Sequence, residues 1–146
     1  MTENVIISIK GKQLYEEQEP DGMELVTPGT LEVDPEGGYK LSYRESELTG
    51  MEGTRTVFRI RGKQVTLTRE GGVNSMMVFE EGLRHMSMYE TPFGALTIGV
   101  NTRRMKNEIS ATGGELEIDY AIEVDHAVTG QNLFQIKVEQ APKLRQ

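Results

Sequence analysis

The sequence predicts an all-β fold, an antiparallel meander of about ten strands that closes into a barrel. Three observations carry the prediction. Segments of alternating polarity recur about every dozen residues, and stretches with a helical period are scarce. Glycine is abundant, with 16 in 146 residues, and much of it falls between those segments. Proposed turns, taken with their loop lengths, put the apolar residues of partner strands on one face, which a slip of one residue would undo.

The strands follow in order. "NVIISIKGKQLYE" opens the chain. In "LEVDPEGGYKLSY" a three-residue loop, Glu36 to Gly38, pairs Val33 with Leu41 and Leu31 with Tyr43. In "TVFRIRGKQVTLTRE" the two-residue loop Gly62-Lys63 pairs Ile60 with Val65 and Phe58 with Leu67, leaving Arg59 and Arg61 outward; glycine at the first loop position suits a tight primed turn. In "MMVFEEGLRHMSM" the loop Glu81-Gly82 pairs Met77 with Met86 and Phe79 with Arg84, and puts His85 outward opposite Val78.

Between residues 94 and 124 the apolar positions run even (Leu96, Ile98, Val100), then odd (Met105, Ile109), then even again (Leu116, Ile118, Tyr120, Ile122, Val124). A tight turn at Asn101-Thr102 explains the first change. One long strand with a bulge near Asn101 explains it equally. A second turn at Gly113-Gly114 pairs Ala111 with Leu116, Ile109 with Ile118, Asn107 with Tyr120 and Met105 with Ile122. "GQNLFQIKVEQ" is the last strand, and its pairing with the first removes both sheet edges. A twisted two-sheet sandwich is the architectural alternative.

Residues 1–146 have the size of one domain, able to bury a core without covalent staples. With no cysteine and two histidines, His85 and His126, neither a disulfide framework nor a zinc cluster is expected. The start, "MTENVIISIKGKQ", lacks the features of a secretory signal, and no apolar run is long enough to span a bilayer as a helix, so a cytoplasmic chain without membrane insertion is expected. Sixteen basic against 23 acidic residues give a net charge of −7, which disfavours nucleic acid.

The segments "TPFGALTIGVNT", "GGELEIDYAIEVD" and "GQNLFQIKV" resemble the YwiB-like family of small bacterial proteins of unknown function, over roughly residues 3 to 140. The resemblance implies a lipocalin-like or calycin-like barrel and supplies no catalytic residues or cofactor. The chain departs from better-known calycins in having no Trp for a Gly-x-Trp signature, and only "EEQEPDGM" (16 to 23) where fatty-acid carriers insert a helical lid.

Four polar side chains fall on the predicted inward register: Tyr43, Arg84, Asn107 and Tyr120. A few placed polar groups in an apolar concavity are what a small-molecule site requires, and Arg84 offers a fork for a carboxylate. The plain alternative is that Asn107 and Tyr120 satisfy each other and Arg84 reaches water. Arg103, at the neighbouring rim, is a lesser candidate. Met76, Met77, Met86 and Met88 give either an adaptable lining or ordinary core filling, with Met76 on the face opposite the other three.

Outside, Arg55, Arg59, Arg61, Lys63 and Arg69 make one hairpin basic, and Arg103, Arg104 and Lys106 form a second patch. They serve either as solvated faces or as a surface for an acidic partner. The row Glu117, Asp119, Glu123, Asp125 is spaced too widely along one strand for a compact cation cage. An acid-base pair of Glu45 with Tyr43 or Tyr120 in the barrel mouth is the one catalytic arrangement the sequence offers. The leading expectation is therefore a binding module for a small, apolar or amphipathic ligand. Its rival is a filled barrel acting through its outer surface, as a homodimer or on the basic hairpin.

Overall fold

The alternating segments form ten antiparallel strands in a computed structural model that describes residues 2–14, 21–46, 52–72, 74–91, 94–124 and 127–142. They are β1 (Thr2–Leu14), β2 (Asp21–Val33), β3 (Tyr39–Arg44), β4 (Thr54–Arg61), β5 (Gln64–Gly71), β6 (Ser75–Glu80), β7 (Arg84–Thr91), β8 (Gly94–Asn107), β9 (Gly114–Val124) and β10 (Ala127–Gln140). Each strand pairs with the next, and β1 pairs with both β2 and β10, so the meander closes on itself. Closure leaves no free sheet edge, as the joining of first and last strands predicts.

The core lies inside this ring. Val5, Ile7 and Ile9 of β1 meet Leu31, Leu41, Phe58, Ile60, Val65, Phe79, Val100, Met105, Leu116, Ile118 and Ile136 from the other walls. Tyr43, Phe58, Phe79, Tyr120 and Phe134 supply the core's large side chains. Phe58 stacks on Tyr43 and Phe134 at centroid distances of 6.5 and 5.9 Å, and Phe79 meets Tyr120 edge-on at 4.9 Å.

The Gly62-Lys63 hairpin has the expected register, Ile60 opposite Val65 and Phe58 opposite Leu67, with Gly62 at φ +50°. Other registers differ, each for a local reason. After β2 the loop has five residues, because Asp34 organises it: its Oδ1 accepts the Glu36 amide and its carbonyl accepts the Gly37 amide. Val33 therefore faces Tyr39 and Leu31 faces Leu41. That slip of two preserves the faces.

Between β8 and β9, Ile109 tucks beneath the barrel, 8% exposed, with its amide held by Asn107 Oδ1 at 3.0 Å. Asn107 now faces Leu116, and Met105 faces Ile118. The first parity change is a bulge within one long strand: Thr102 pairs with Tyr120 and Arg104 with Asp119, leaving Arg103 as the extra residue. No tight turn forms at Asn101.

The β6–β7 loop is the correction with consequences. It holds three residues rather than two, since the amides of Glu81 and Gly82 bond to the carbonyls of Lys63 in the β4–β5 turn and Thr102 on β8. One extra residue inverts the faces of β7. Arg84 and Met86 point outward and are exposed, whereas His85 sits opposite buried Val100 and Ser87 opposite Ile98. Of the three methionines of β6 and β7 whose side chains are described, Met76 and Met86 are more than half exposed and Met77 packs against the core, so these three do not line a common wall. The side chain of Met88, and residues Asp125 and His126, lie outside the described residues.

Candidate functional site

The loops after β2, β4, β6 and β8 gather at one end of the barrel, and polar contacts join them into a floor. Lys63 Nζ donates to the Met105 carbonyl at 2.8 Å, and Glu81 Oε2 accepts the Met105 amide at 2.7 Å. Asn107 Nδ2 donates to the Gly62 carbonyl at 2.9 Å. The Met105 amide, accompanied by Lys63, holds the Glu81 carboxyl below its ordinary range. Asn107 is therefore a floor latch and not a neighbour of Tyr120.

Toward the opposite end the interior changes character. Tyr43, Thr56, Arg69, Ser75 and Tyr89 are successive cross-strand partners on β3 to β7. Directly opposed residues share a sheet face. Since Tyr43 and Thr56 are buried, the row from β3 to β6 belongs to the inner wall, and Arg69 continues the inward parity of Val65 and Leu67. Arg69 is the functional candidate that sequence reasoning misplaced. Its charge groups it with the basic hairpin, whereas the register of the Gly62-Lys63 turn faces it inward.

Glu45 lies just beyond β3 and is 6% exposed, with Oε1 accepting the Thr56 hydroxyl at 2.8 Å. Its Oε2 is buried without a hydrogen-bond partner, as are Arg69 Nε, Ser87 Oγ and Thr102 Oγ1. Burial, then the hydrogen-bonding and charge of Glu45, push the Tyr43 hydroxyl well above its ordinary value, with Arg69 opposing. Burial also raises Tyr120, and Arg69 again opposes. Arg69 thus acts electrostatically on both tyrosines, and Tyr43, Thr56 and Arg69 are neighbours along the inner wall, with Glu45 bonded to Thr56. Tyr43 and Tyr120, expected from sequence, both face the interior, Tyr43 against Phe58 and Tyr120 against Phe79; Tyr120 has Asn132 and Thr102 as its cross-strand neighbours.

Arg84 has no part in it. On the outer face it forms an ion pair from Nε to Glu123 Oε2, seated over Gly99, whose lack of a Cβ leaves room for both side chains. Glu123 is thereby occupied, and Asp119 accepts a hydrogen bond from Gln131. Of the basic hairpin, Arg61 is tied to Glu36 and Lys63 to Glu81, while Arg55 and Arg59 remain exposed. Arg103 and Arg104 are exposed at the bulge. Among the described residues no three His, Cys, Asp or Glu side chains are grouped to hold a metal ion, and no helix is long and apolar enough to cross a membrane.

Residues 7–136 match the family model described as a domain of unknown function, DUF1934, and the chain belongs to that family. It is similar to the crystal structure of the ywiB protein from Bacillus subtilis, with a TM-score of 0.83 and 19% identity over 97% of this chain and 94% of that one. The family resemblance drawn from the sequence is thereby borne out, and the likeness carries the barrel fold. No curated protein matches the chain.

Proposed function

We propose that this member of the DUF1934 family is a binding module for a small, partly apolar molecule held inside the barrel. Its polar end would lie against Tyr43, Glu45, Arg69 and Tyr120. The observation that carries the reading is the set of inward polar atoms buried without partners, Glu45 Oε2 and Arg69 Nε above all. Buried donors and acceptors are normally satisfied, and leaving one unmade costs about 1–3 kcal/mol. A ligand that offers an acceptor to Arg69 and a donor to Glu45 recovers that cost. The aromatic walls of Phe58, Phe134 and Phe79 suit its apolar part.

The arrangement supplies binding rather than a reaction. Glu45 and Tyr43 sit side by side, but no nucleophile activated by a base accompanies them among the described residues, and proton exchange alone defines no chemistry. The test uses protein purified without detergent. Native mass spectrometry is expected to find a bound small molecule, and anilinonaphthalene sulfonate is expected to fluoresce in the barrel of the wild type and weakly in Arg69→Gln. A clean apo mass together with no dye response in the wild type would overturn the reading and favour a filled barrel that works through its outer surface.

A further inference from the structure

A second polar feature lies on the outer wall where β2 leaves β3. The β2–β3 ladder runs from Val33↔Tyr39 to Thr30↔Ser42 and stops. Pro28, two residues further on, has no amide proton to continue it. A cleft of about 550 Å³ follows, lined by Thr27, Thr30, Ser42, Arg44 and Arg55 with Pro28, Gly29 and Tyr43. No acidic side chain lines it.

Arg44 and Arg55 are direct cross-strand partners on β3 and β4. Like charges placed so are destabilising. Among the described residues neither guanidinium has an ion-pair partner; Glu70 faces Arg55 from β5, on the side away from Arg44, and is not within pairing distance. Arg55 is nevertheless held in place, its Nη2 donating to Ser42 Oγ at 3.3 Å. Ser42, 5% exposed, also shares a hydrogen bond of 2.9 Å with the Thr30 hydroxyl. Whichever of the two hydroxyls donates in that bond, the other keeps its proton. The cleft therefore concentrates two guanidinium forks and a spare hydroxyl proton, all donors, in a chain of net charge −7.

We propose that this cleft, opening on the outer wall, is a binding site for a phosphate group. A carboxylate has two oxygens, which a single arginine fork satisfies; a phosphate has enough terminal oxygens to engage both guanidiniums and the hydroxyl together. Its charge also relieves the repulsion between Arg44 and Arg55. The group is either free phosphate or the end of a monoester, since the cleft is open to solvent on its outer side.

The experiment is a titration of uniformly 15N-labelled protein with inorganic phosphate and, in separate arms, phenyl phosphate and acetate. Saturable shifts are expected at the amides of Thr30, Ser42, Arg44 and Arg55, with acetate much weaker. Arg44→Gln and Arg55→Gln should each weaken phosphate about tenfold or more while the melting temperature of the phosphate-free protein does not fall. Ser42→Ala should weaken it less, by freeing Arg55. Tighter binding of phenyl phosphate identifies a monoester as the source, and equal binding identifies free phosphate. Non-saturable shifts, shifts centred on Arg103 and Arg104, or an unaltered affinity in the Arg44→Gln/Arg55→Gln double variant would each overturn the proposal.

Discussion

Thr102 is the sharpest probe of the barrel interior. It is fully buried on β8, opposite Tyr120, and its hydroxyl has no hydrogen-bond partner. Thr102→Val keeps the branched shape and the strand preference and exchanges only the hydroxyl for a methyl group. In a dry wall the wild type bears the cost of a desolvated hydroxyl, so the exchange is expected to stabilise the protein by about 1–3 kcal/mol. For a chain of this size that raises the melting temperature by about 2–4 °C for each kcal/mol. Urea unfolding followed by circular dichroism measures it, and an unchanged slope against urea shows that the denatured state was not altered. A loss of stability in Thr102→Val would refute the reasoning. It would mean that the hydroxyl is satisfied in solution by water inside the barrel, and the same would then hold for Ser87 and Arg69.

Two further outcomes follow from the core and the floor. Phe58→Ala removes a ring that is 1% exposed and stacked between Tyr43 and Phe134, and is expected to cost about 3–5 kcal/mol in a thermal or urea melt; a loss below 1 kcal/mol would show that the barrel collapses around the gap. Glu81 is held below its ordinary value of 4.5 by the Met105 amide, so its contribution is fully present above that value and is lost as the pH falls through the lowered one. The difference in melting temperature between wild type and Glu81→Gln should accordingly be constant near neutrality and shrink under acid conditions, and a difference that grows on acidification would contradict the contact.

The sequence made the faces legible more readily than the registers. Alternation is a period-two property, so a slip of two at Asp34 or of four at Gly113 left Leu31, Leu41, Ile118 and Tyr120 pointing inward as expected. Those slips come from loop contacts, the Asp34 turn and the tucked Ile109, and such contacts leave no mark on hydrophobic period. An odd slip has no such protection. The third residue of the Glu81–Leu83 loop is set by hydrogen bonds to the Gly62-Lys63 turn and to β8, which alternation within β6 and β7 cannot see, and it turned Arg84 from an expected ligand anchor into an outer ion pair with Glu123.

Arg69 shows the opposite case, a site residue whose signal was present and outweighed. Val65, Leu67 and Arg69 share one parity, and the Gly62-Lys63 turn that fixes it has the register its sequence predicts. Counting the hairpin by charge grouped Arg69 with Arg59 and Arg61, which point the other way. A cation on the apolar parity of a strand is expensive unless something answers it. The charge of Arg69 is felt by both Tyr43 and Tyr120, and its Nε is buried without a partner. Parity therefore outranks composition in reading such hairpins: among several arginines, the one in phase with the core residues belongs to the inner wall, and those out of phase belong to the surface.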